Sequence, residues 1–432
     1  MIEILRILIT ILGSAMVQGP EQGVNMISFN GDADSPYFVG KTLPGGVDTQ
    51  NYFKSAGEGQ MPSGSLSARY ILEGTDYTGE KCKIYIENNG KFGEPFTHPR
   101  ITTDSKALAS LNKDNLLGKL DNENGKLIIR IYEKLTEVPQ CVRNAESCKK
   151  DEANCEKKEG RIEQFNYTAK MNGKKCKKRA QVYLPYGYDA KDKATKYNVL
   201  YLMHGGGDNT TSFLTPPKDW LPLKRVLDRL IAQGKMQPII VVCPTFYQDD
   251  QNIGKNRMED AIAQTRDFNK ELRNYLIPTV EKAYNSYYTG KGKNAIEESR
   301  SHRAFGGFSM GALCTWYQLA YDVAAVSRFL PLSGDLWTYD AENNKLPADV
   351  SAKWLCLQLK ESPYANDFQI FAYTGTEEIA GKPETELINA LYNMNSPMFS
   401  PKNMQFGVKQ GGQHFYGHIN EYLYHALPLL WK

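Results

Sequence analysis

The stretch HRAFGGFSMGALCTWY, residues 302–317, decides the fold. A short apolar run passes through Gly306 and Gly307, a serine stands at 309, and Gly311 opens a second apolar run at helical spacing. Strands favour β-branched and aromatic residues and helices disfavour glycine, so three glycines this close together call for a local geometric reason. Gly307-Phe308-Ser309-Met310-Gly311 fits G-x-S-x-G. In that pattern a strand turns into a helix so tightly that the flanking residues must be small. The serine hydroxyl is held above the strand end, and the next amide, here Met310, points to where an oxyanion would form. A tight turn with a capping serine would carry the same five residues, so the rest of the chain must supply the partners.

Upstream, NVLYLMHGGGDN (198–209) ends another strand-like run in a glycine-rich loop. Such a loop lets backbone N–H groups approach a carbonyl and complete an oxyanion hole. Gly206 is the first candidate donor, with Gly205 and Gly207 as alternatives. His204 opens the loop ahead of the serine and reads as structural. A serine nucleophile also needs a base, and the chain has six histidines. His98 lies in a strand-rich first half, and His302 starts the elbow strand. His414 follows the strand-like MQFGVK on a glycine-bearing loop, which suits a catalytic imidazole. His418 is its competitor, and His425 falls within the final helical stretch. An acid must then fix the tautomer of the base. FQIFAYTGTEEIAG offers Glu377 and Glu378 just past a strand, and PLSGDLW offers Asp335. The order Ser309, Glu378, His414 is the nucleophile–acid–base order of α/β-hydrolases.

The surrounding pattern supports that fold class. From residue 161 onward, strand-like runs alternate with helical ones: RAQVYLPYGYD, NVLYLM, QPIIVVCPTFY, RAFGGFS, SRFLPLSGD, FQIFAYTGT and MQFGVKQGG, with RMEDAIAQTRDFNKELRNYLIPTVEKAYN as the clearest helix. This βαβα rhythm predicts a doubly wound, mainly parallel sheet, with chemistry at the carboxyl ends of its strands. Residues 1–135 read differently, as short strands separated by turns: EILRILITIL, SARYILEG, KCKIYIENNG and, after DNENG, KLIIRIYEKL. LPGGVDTQ (43–50) reads as loop. This half is expected to be an all-β, barrel-like domain. Between the halves, residues 136–160 form a charged, cysteine-bearing connector in which Cys141, Cys148 and Cys155 could share one helix face.

Length and composition set the outer bounds. With 432 residues, two domains are the natural expectation. A hydrophobic fraction of 41% and a charged fraction of 23% describe a globular chain, and a net charge of +3 with interspersed signs argues against nucleic acid as a partner. The opening MIEILRILITILGSAMVQG is interrupted by Arg6 and carries Glu3, so it reads as a buried first strand rather than a signal peptide. No other run approaches a membrane span. Of the eight cysteines, Cys141, Cys148, Cys155 and Cys176 share one charged region, while Cys82, Cys243, Cys314 and Cys356 sit in apolar surroundings as small hydrophobes. No C-x-x-C pair suggests a metal site.

Two resemblances add to this reading. Residues 161–432 resemble carbohydrate esterase family one, the feruloyl and acetyl xylan esterases of plant-wall degraders. The likeness is carried by VYLPYGYD, YNVLYLMHGGGDN, the helix ending LIPTVEKAYN, GGFSMG, LPLSGDLW, YTGTEE and GGQHFYGHINEYLYHALP. It implies Ser309 as nucleophile, His414 as base and Glu378 in the acid position, where many relatives have aspartate. It also implies Met310 and Gly206 as oxyanion-hole positions and Trp337 as an aromatic near the active site, with Asp335 beside it as a further substrate-side candidate. The implied chemistry is two-step acyl transfer without metal or organic cofactor. The implied partner is feruloylated or acetylated xylan or its oligosaccharides, and the implied setting is extracellular. Acetyl release, a thioester hydrolase such as a formylglutathione hydrolase, and a non-catalytic carbohydrate-binding protein on a hydrolase fold are the rival readings. Residues 3–134 resemble a small β-barrel family of unassigned function, found alone or fused to esterases. That likeness rests on the opening strand, LPGGVDTQ, ARYILEGTD and KLIIRIYEKL.

Overall fold

A computed structural model of the protein describes residues 1–53, 63–113, 115–139, 142, 158–171, 174–217, 220–248, 258–394 and 396–432. The chain divides into two compact units, Met1–Leu135 with Ser400–Lys402, and Thr136–Phe399 with Asn403–Lys432. The expected helix face through Cys141, Cys148 and Cys155 lies outside the described residues.

The first unit is a nine-stranded antiparallel sheet built from β1 (Ile2–Gln18), β2 (Gln22–Ser35), β3 (Phe38–Thr42), β4 (Val47–Phe53), β5 (Ser63–Asp76), β6 (Lys81–Lys91), β7 (His98–Thr103), β8 (Leu116–Glu123) and β9 (Lys126–Glu133). Its order is β7-β6-β5-β3-β2-β1-β9-β8, with β4 paired to both β2 and β5. Thr97 and Gly118 exchange backbone hydrogen bonds of 2.8 and 2.9 Å, joining the two ends of that path and closing the barrel. A register shift between Glu3 and Leu5 explains why the neighbours Ile4 and Leu5 are both buried, since a bulge sends consecutive side chains inward. Arg6 points outward to Glu123 at 2.7 Å. The buried first strand is therefore half right: Thr10–Gln18 of β1 is exposed. The turn at DNENG has both Asn124 and Gly125 at positive φ, the geometry of a two-residue hairpin. LPGGVDTQ needs correction, because its second half opens β4, where Val47–Phe53 pairs with both β2 and β5.

The second unit holds an eight-stranded sheet of β10 (Arg161–Met171), β11 (Lys174–Leu184), β12 (Asn198–Met203), β13 (Ile239–Cys243), β14 (Arg303–Phe308), β15 (Arg328–Leu332), β16 (Gln369–Glu377) and β17 (Met404–Gln413). The order is β10-β11-β13-β12-β14-β15-β16-β17. β10, β11 and β13 pair antiparallel, and every pair from β13–β12 to β16–β17 is parallel. This is the expected doubly wound α/β-hydrolase sheet, extended by β10, which the sequence pattern does not announce. The helices used below are α1 (Leu223–Ala232), α2 (Met258–Glu271), α3 (Ile277–Ala283), α4 (Met310–Asp322), α5 (Ala348–Leu359), α6 (Gly381–Asn393) and α7 (Tyr416–Ala426).

β12, β13 and β14 are buried along their whole length, because helices cover both faces and their sequences need no alternation. α4 follows β14 and is buried from Met310 through Ala320, which is why its sequence is apolar on all sides. Strand order reverses between β12 and β14: β13 lies on one side of β12 and β14 on the other. The carboxyl ends of β12 and β14 thus flank the crevice where such sheets bind ligands.

Candidate active site

The two strand ends at that crevice deliver the two motifs. Met203, the last residue of β12, pairs with Gly307 of β14, so the HGGG loop and Ser309 emerge side by side. Ser309 sits at φ 56°, ψ −114°, a conformation that costs a non-glycine residue on the order of 1–3 kcal/mol. Its N–H donates to the Leu332 carbonyl at 3.0 Å, and its carbonyl accepts from Ala312 and Leu313, locking the elbow between β15 and α4. A Cβ on Gly307 would press on the Gly311 backbone, and one on Gly311 would press on the Met203 carbonyl. The flanking glycines are therefore steric necessities of the turn.

His414 leaves the end of β17 and reaches back to this point. Its Nε2 lies 3.0 Å from the Ser309 hydroxyl oxygen, and its Nδ1 lies 2.7 Å from Glu378 Oε2. The ring rests against Phe308, with centroids 4.6 Å apart, and its side chain is 23% exposed. The Glu378 carboxylate is fully buried. Its Oε1 accepts from the Ser333 and Thr374 hydroxyls, each at 2.8 Å, and from the Gly375 N–H. Three donors on one oxygen leave the other aimed at His414.

The rivals for each role are otherwise engaged. His418 Nδ1 accepts the Gln413 N–H at 2.7 Å, closing the turn that carries His414. His425 Nδ1 accepts the Thr136 N–H. Glu377 is exposed. Asp335 spends its oxygens on the Trp337 indole N–H at 2.8 Å and on Lys345 Nζ at 2.7 Å, so it orients Trp337 rather than His414. Trp337 is half-buried against the core beside this loop, with Lys345 over its ring.

The three glycines of the HGGG loop separate in the same way. The Gly205 N–H donates to the Tyr416 hydroxyl at 3.0 Å, and the Gly207 N–H donates to the Tyr247 hydroxyl at 2.8 Å. The Gly206 N–H has no acceptor among the described residues, and a Cβ there would meet Met310 Sδ. Gly206 therefore lies beside Met310, the other expected donor. His204 is buried and bridges the Gly205 carbonyl and the Thr245 hydroxyl. Burial pushes its imidazole down to about 4, so it is neutral at ordinary pH, with Nδ1–H donating to the carbonyl and Nε2 accepting from Thr245.

Several participants escape sequence reading. Ser333, at φ 54°, and Thr374 orient Glu378 from the ends of β15 and β16. Glu384 of α6 is fully buried, and its Oε2 accepts the Gly334 N–H at 2.9 Å. Burial and then the nearby Glu378 push its carboxyl well above the usual range. A Cβ on Gly334 would press on the Ser309 carbonyl, so this contact supports the elbow. A signal for Glu384 did exist: it falls in helical register with Leu387, Ile388 and Leu391, where an apolar residue is expected. Burial also raises the thiols of Cys243, Cys314 and Cys356, in keeping with their reading as small hydrophobes, although Cys356 is only half-buried.

The chain is similar to known esterases. The Esterase family, described as "Putative esterase", matches residues 171–427. A solved mutant of the feruloyl esterase module from Clostridium thermocellum, complexed with sinapinate, is 32% identical with a TM-score of 0.56, over 69% of this chain and 94% of that one. Endo-1,4-beta-xylanase Y of Acetivibrio thermocellus is 36% identical over 274 residues, 62% of this chain. The endo-1,4-beta-xylanase/feruloyl esterase of Xylanibacter ruminicola is 36% identical over 161 residues, 36% of this chain. The chain spans 23% and 19% of the length of these two relatives. With its doubly wound sheet, its elbow serine and a match across more than half its length, the chain belongs to the Esterase family of α/β-hydrolases, alongside the feruloyl esterase modules.

Proposed function

We propose that the chain is a serine carboxylesterase that releases ferulate or a related hydroxycinnamate from plant-wall arabinoxylan, outside the cell. The observation that carries the chemistry is the continuous relay Ser309–His414–Glu378, at 3.0 and 2.7 Å. His414 Nε2 takes the hydroxyl proton as Ser309 Oγ attacks the ester carbonyl. Glu378 holds Nδ1–H and stabilises the imidazolium that forms. The Gly206 and Met310 N–H groups receive the oxyanion. The imidazolium returns its proton to the departing sugar alcohol, and water repeats the attack to free the acid and restore Ser309. Only protons and an acyl group move, so side chains and backbone of this chain account for each step.

The substrate class is supported by the 32% identity to a feruloyl esterase module holding sinapinate and by the xylanase relatives. Trp337, with its indole N–H held by Asp335 and Lys345 over its ring, is the aromatic candidate to meet a phenolic acid. The test is parallel hydrolysis of methyl ferulate and acetylated xylan by the intact protein and by Ser309→Ala. Ferulate release that disappears in the variant is expected. Acetate release alone would keep the mechanism and move the substrate to acetyl xylan. No serine-dependent turnover of either would overturn the proposal.

A further inference from the structure

The peptide that presents the Gly206 N–H is tied down more heavily than a loop turn requires. That N–H shares its peptide plane with the Gly205 carbonyl, and in a trans peptide the two point in opposite directions. The carbonyl accepts His204 Nδ1–H at 2.7 Å and the Asp208 N–H at 3.3 Å. The peptide before it is anchored through the Gly205 N–H to the Tyr416 hydroxyl, and the peptide after it through the Gly207 N–H to the Tyr247 hydroxyl. The Tyr416 hydroxyl in turn donates to Asp208 Oδ2 at 3.0 Å, so Asp208 holds the far end of the same loop. Both tyrosine rings are buried and clamped. Tyr416 stacks on Trp220 and meets Phe308 and Phe213 edge-on, while Tyr247 lies against His204 and Phe246. Tyr416 also sits two residues after His414, so one rigid segment carries both the base and the loop anchor.

We infer that Tyr416 and Tyr247 are positioning residues of the oxyanion hole. By consuming the N–H groups on either side, they select Gly206 as the donor and fix its direction, with Asp208 completing the Tyr416 anchor. The inference rests on the serine-esterase reading above. Among the described residues neither hydroxyl is hydrogen-bonded to Ser309 or His414, and each acts through the backbone. Their removal should therefore weaken binding of the tetrahedral state while leaving ground-state binding in place.

The test compares wild type, Tyr416→Phe, Tyr247→Phe and Ser309→Ala on p-nitrophenyl acetate and methyl ferulate. Affinities for phenylboronic acid, which forms a tetrahedral serine adduct, and for free ferulate are measured alongside. Loss of one oxyanion donor typically costs 10²–10³ in kcat, so misorienting it should cost about 10- to 100-fold. The expected result is that kcat and boronate affinity fall together by that factor in Tyr416→Phe, while KM and ferulate affinity stay within about threefold. Tyr247→Phe should show the same split, and it decides the matter if Tyr416→Phe fails to fold. Wild-type kcat in the phenylalanine variants, or a kcat loss with unchanged boronate affinity, overturns the positioning role even if Ser309→Ala is inactive. Full turnover by Ser309→Ala overturns both this role and the esterase reading.

Discussion

Glu378→Gln isolates what the buried acid contributes, because the replacement keeps shape and removes charge. In the wild type, Oε1 accepts from Ser333, Thr374 and the Gly375 N–H, and Oε2 faces His414 Nδ1. A glutamine must place its oxygen at the three-donor position, since its NH₂ would meet three donors there. Its NH₂ then faces His414 and donates to Nδ1. The imidazole is forced into the tautomer with the proton on Nε2, pointing at Ser309, and can no longer accept the hydroxyl proton. The imidazolium also loses its counter-charge. A wrong tautomer in such a relay costs about ten-thousandfold in kcat, roughly 5 kcal/mol of transition-state stabilisation. Steady-state hydrolysis of p-nitrophenyl acetate measures it, with Glu377→Gln as the control that leaves kcat within about twofold, because Glu377 is exposed. A Glu378→Gln enzyme within tenfold of wild type would refute the reasoning, since some other group would then be setting the tautomer.

Three further outcomes are expected. Ser309→Gly should be more stable than Ser309→Ala by about 1 kcal/mol in urea titration, because only glycine adopts φ 56°, ψ −114° without strain. Equal stabilities would mean the elbow is relaxed. Gly311→Ala should lose about 3 kcal/mol or more, or fail to accumulate as folded protein, because its methyl on α4 would press on the Met203 carbonyl at the end of β12. Thermal melts of the two proteins would show it. His204 adds an acid sensitivity: burial lowers its folded value to about 4 from an ordinary 6.5, so below 6.5 the unfolded chain binds the proton first. Its contribution is complete above pH 6.5 and falls by about 3 kcal/mol as pH drops toward 4. Denaturant titrations from pH 7.5 to 4 should show a flatter slope for His204→Asn than for wild type, and parallel slopes would rule the assignment out.

Much of the site was legible because its rules are local. An elbow needs small residues on both sides of its serine, and Gly307 and Gly311 declare that need within five positions. The order of serine, acid and base follows from strand order, and apolar runs such as NVLYL and QIFAY mark buried parallel strands. β10 does not show in the pattern because RIEQFNYTAKM is a polar antiparallel strand at the end of the sheet, without the apolar run that marks the parallel strands. VDTQ carries no strand signal because its polar residues become a strand only when β2 and β5 supply partners on both sides. Ser333 and Thr374 have no motif of their own, and like Glu384 each acquires its task from a neighbour in space.

The candidate serine, the loop that carries the candidate base, the strands that hold them and the family are all readable from the chain alone, because covalent neighbours and hydrophobic period set those features. Which carboxylate meets the imidazole, and which glycine N–H lacks an acceptor among the described residues, follows only from tertiary contacts. Glu377, Glu378 and Asp335 are chemically similar, and each lies at or just past the end of a strand of the same sheet. Only Glu378 is buried with three donors on one oxygen and the imidazole on the other. Gly205, Gly206 and Gly207 are identical residues in a row, and hydroxyls 211 and 40 positions away take the outer two. A hydrogen-bonding group is spent or free according to what the fold brings against it, and that information is not carried by the residue or its neighbours in the chain.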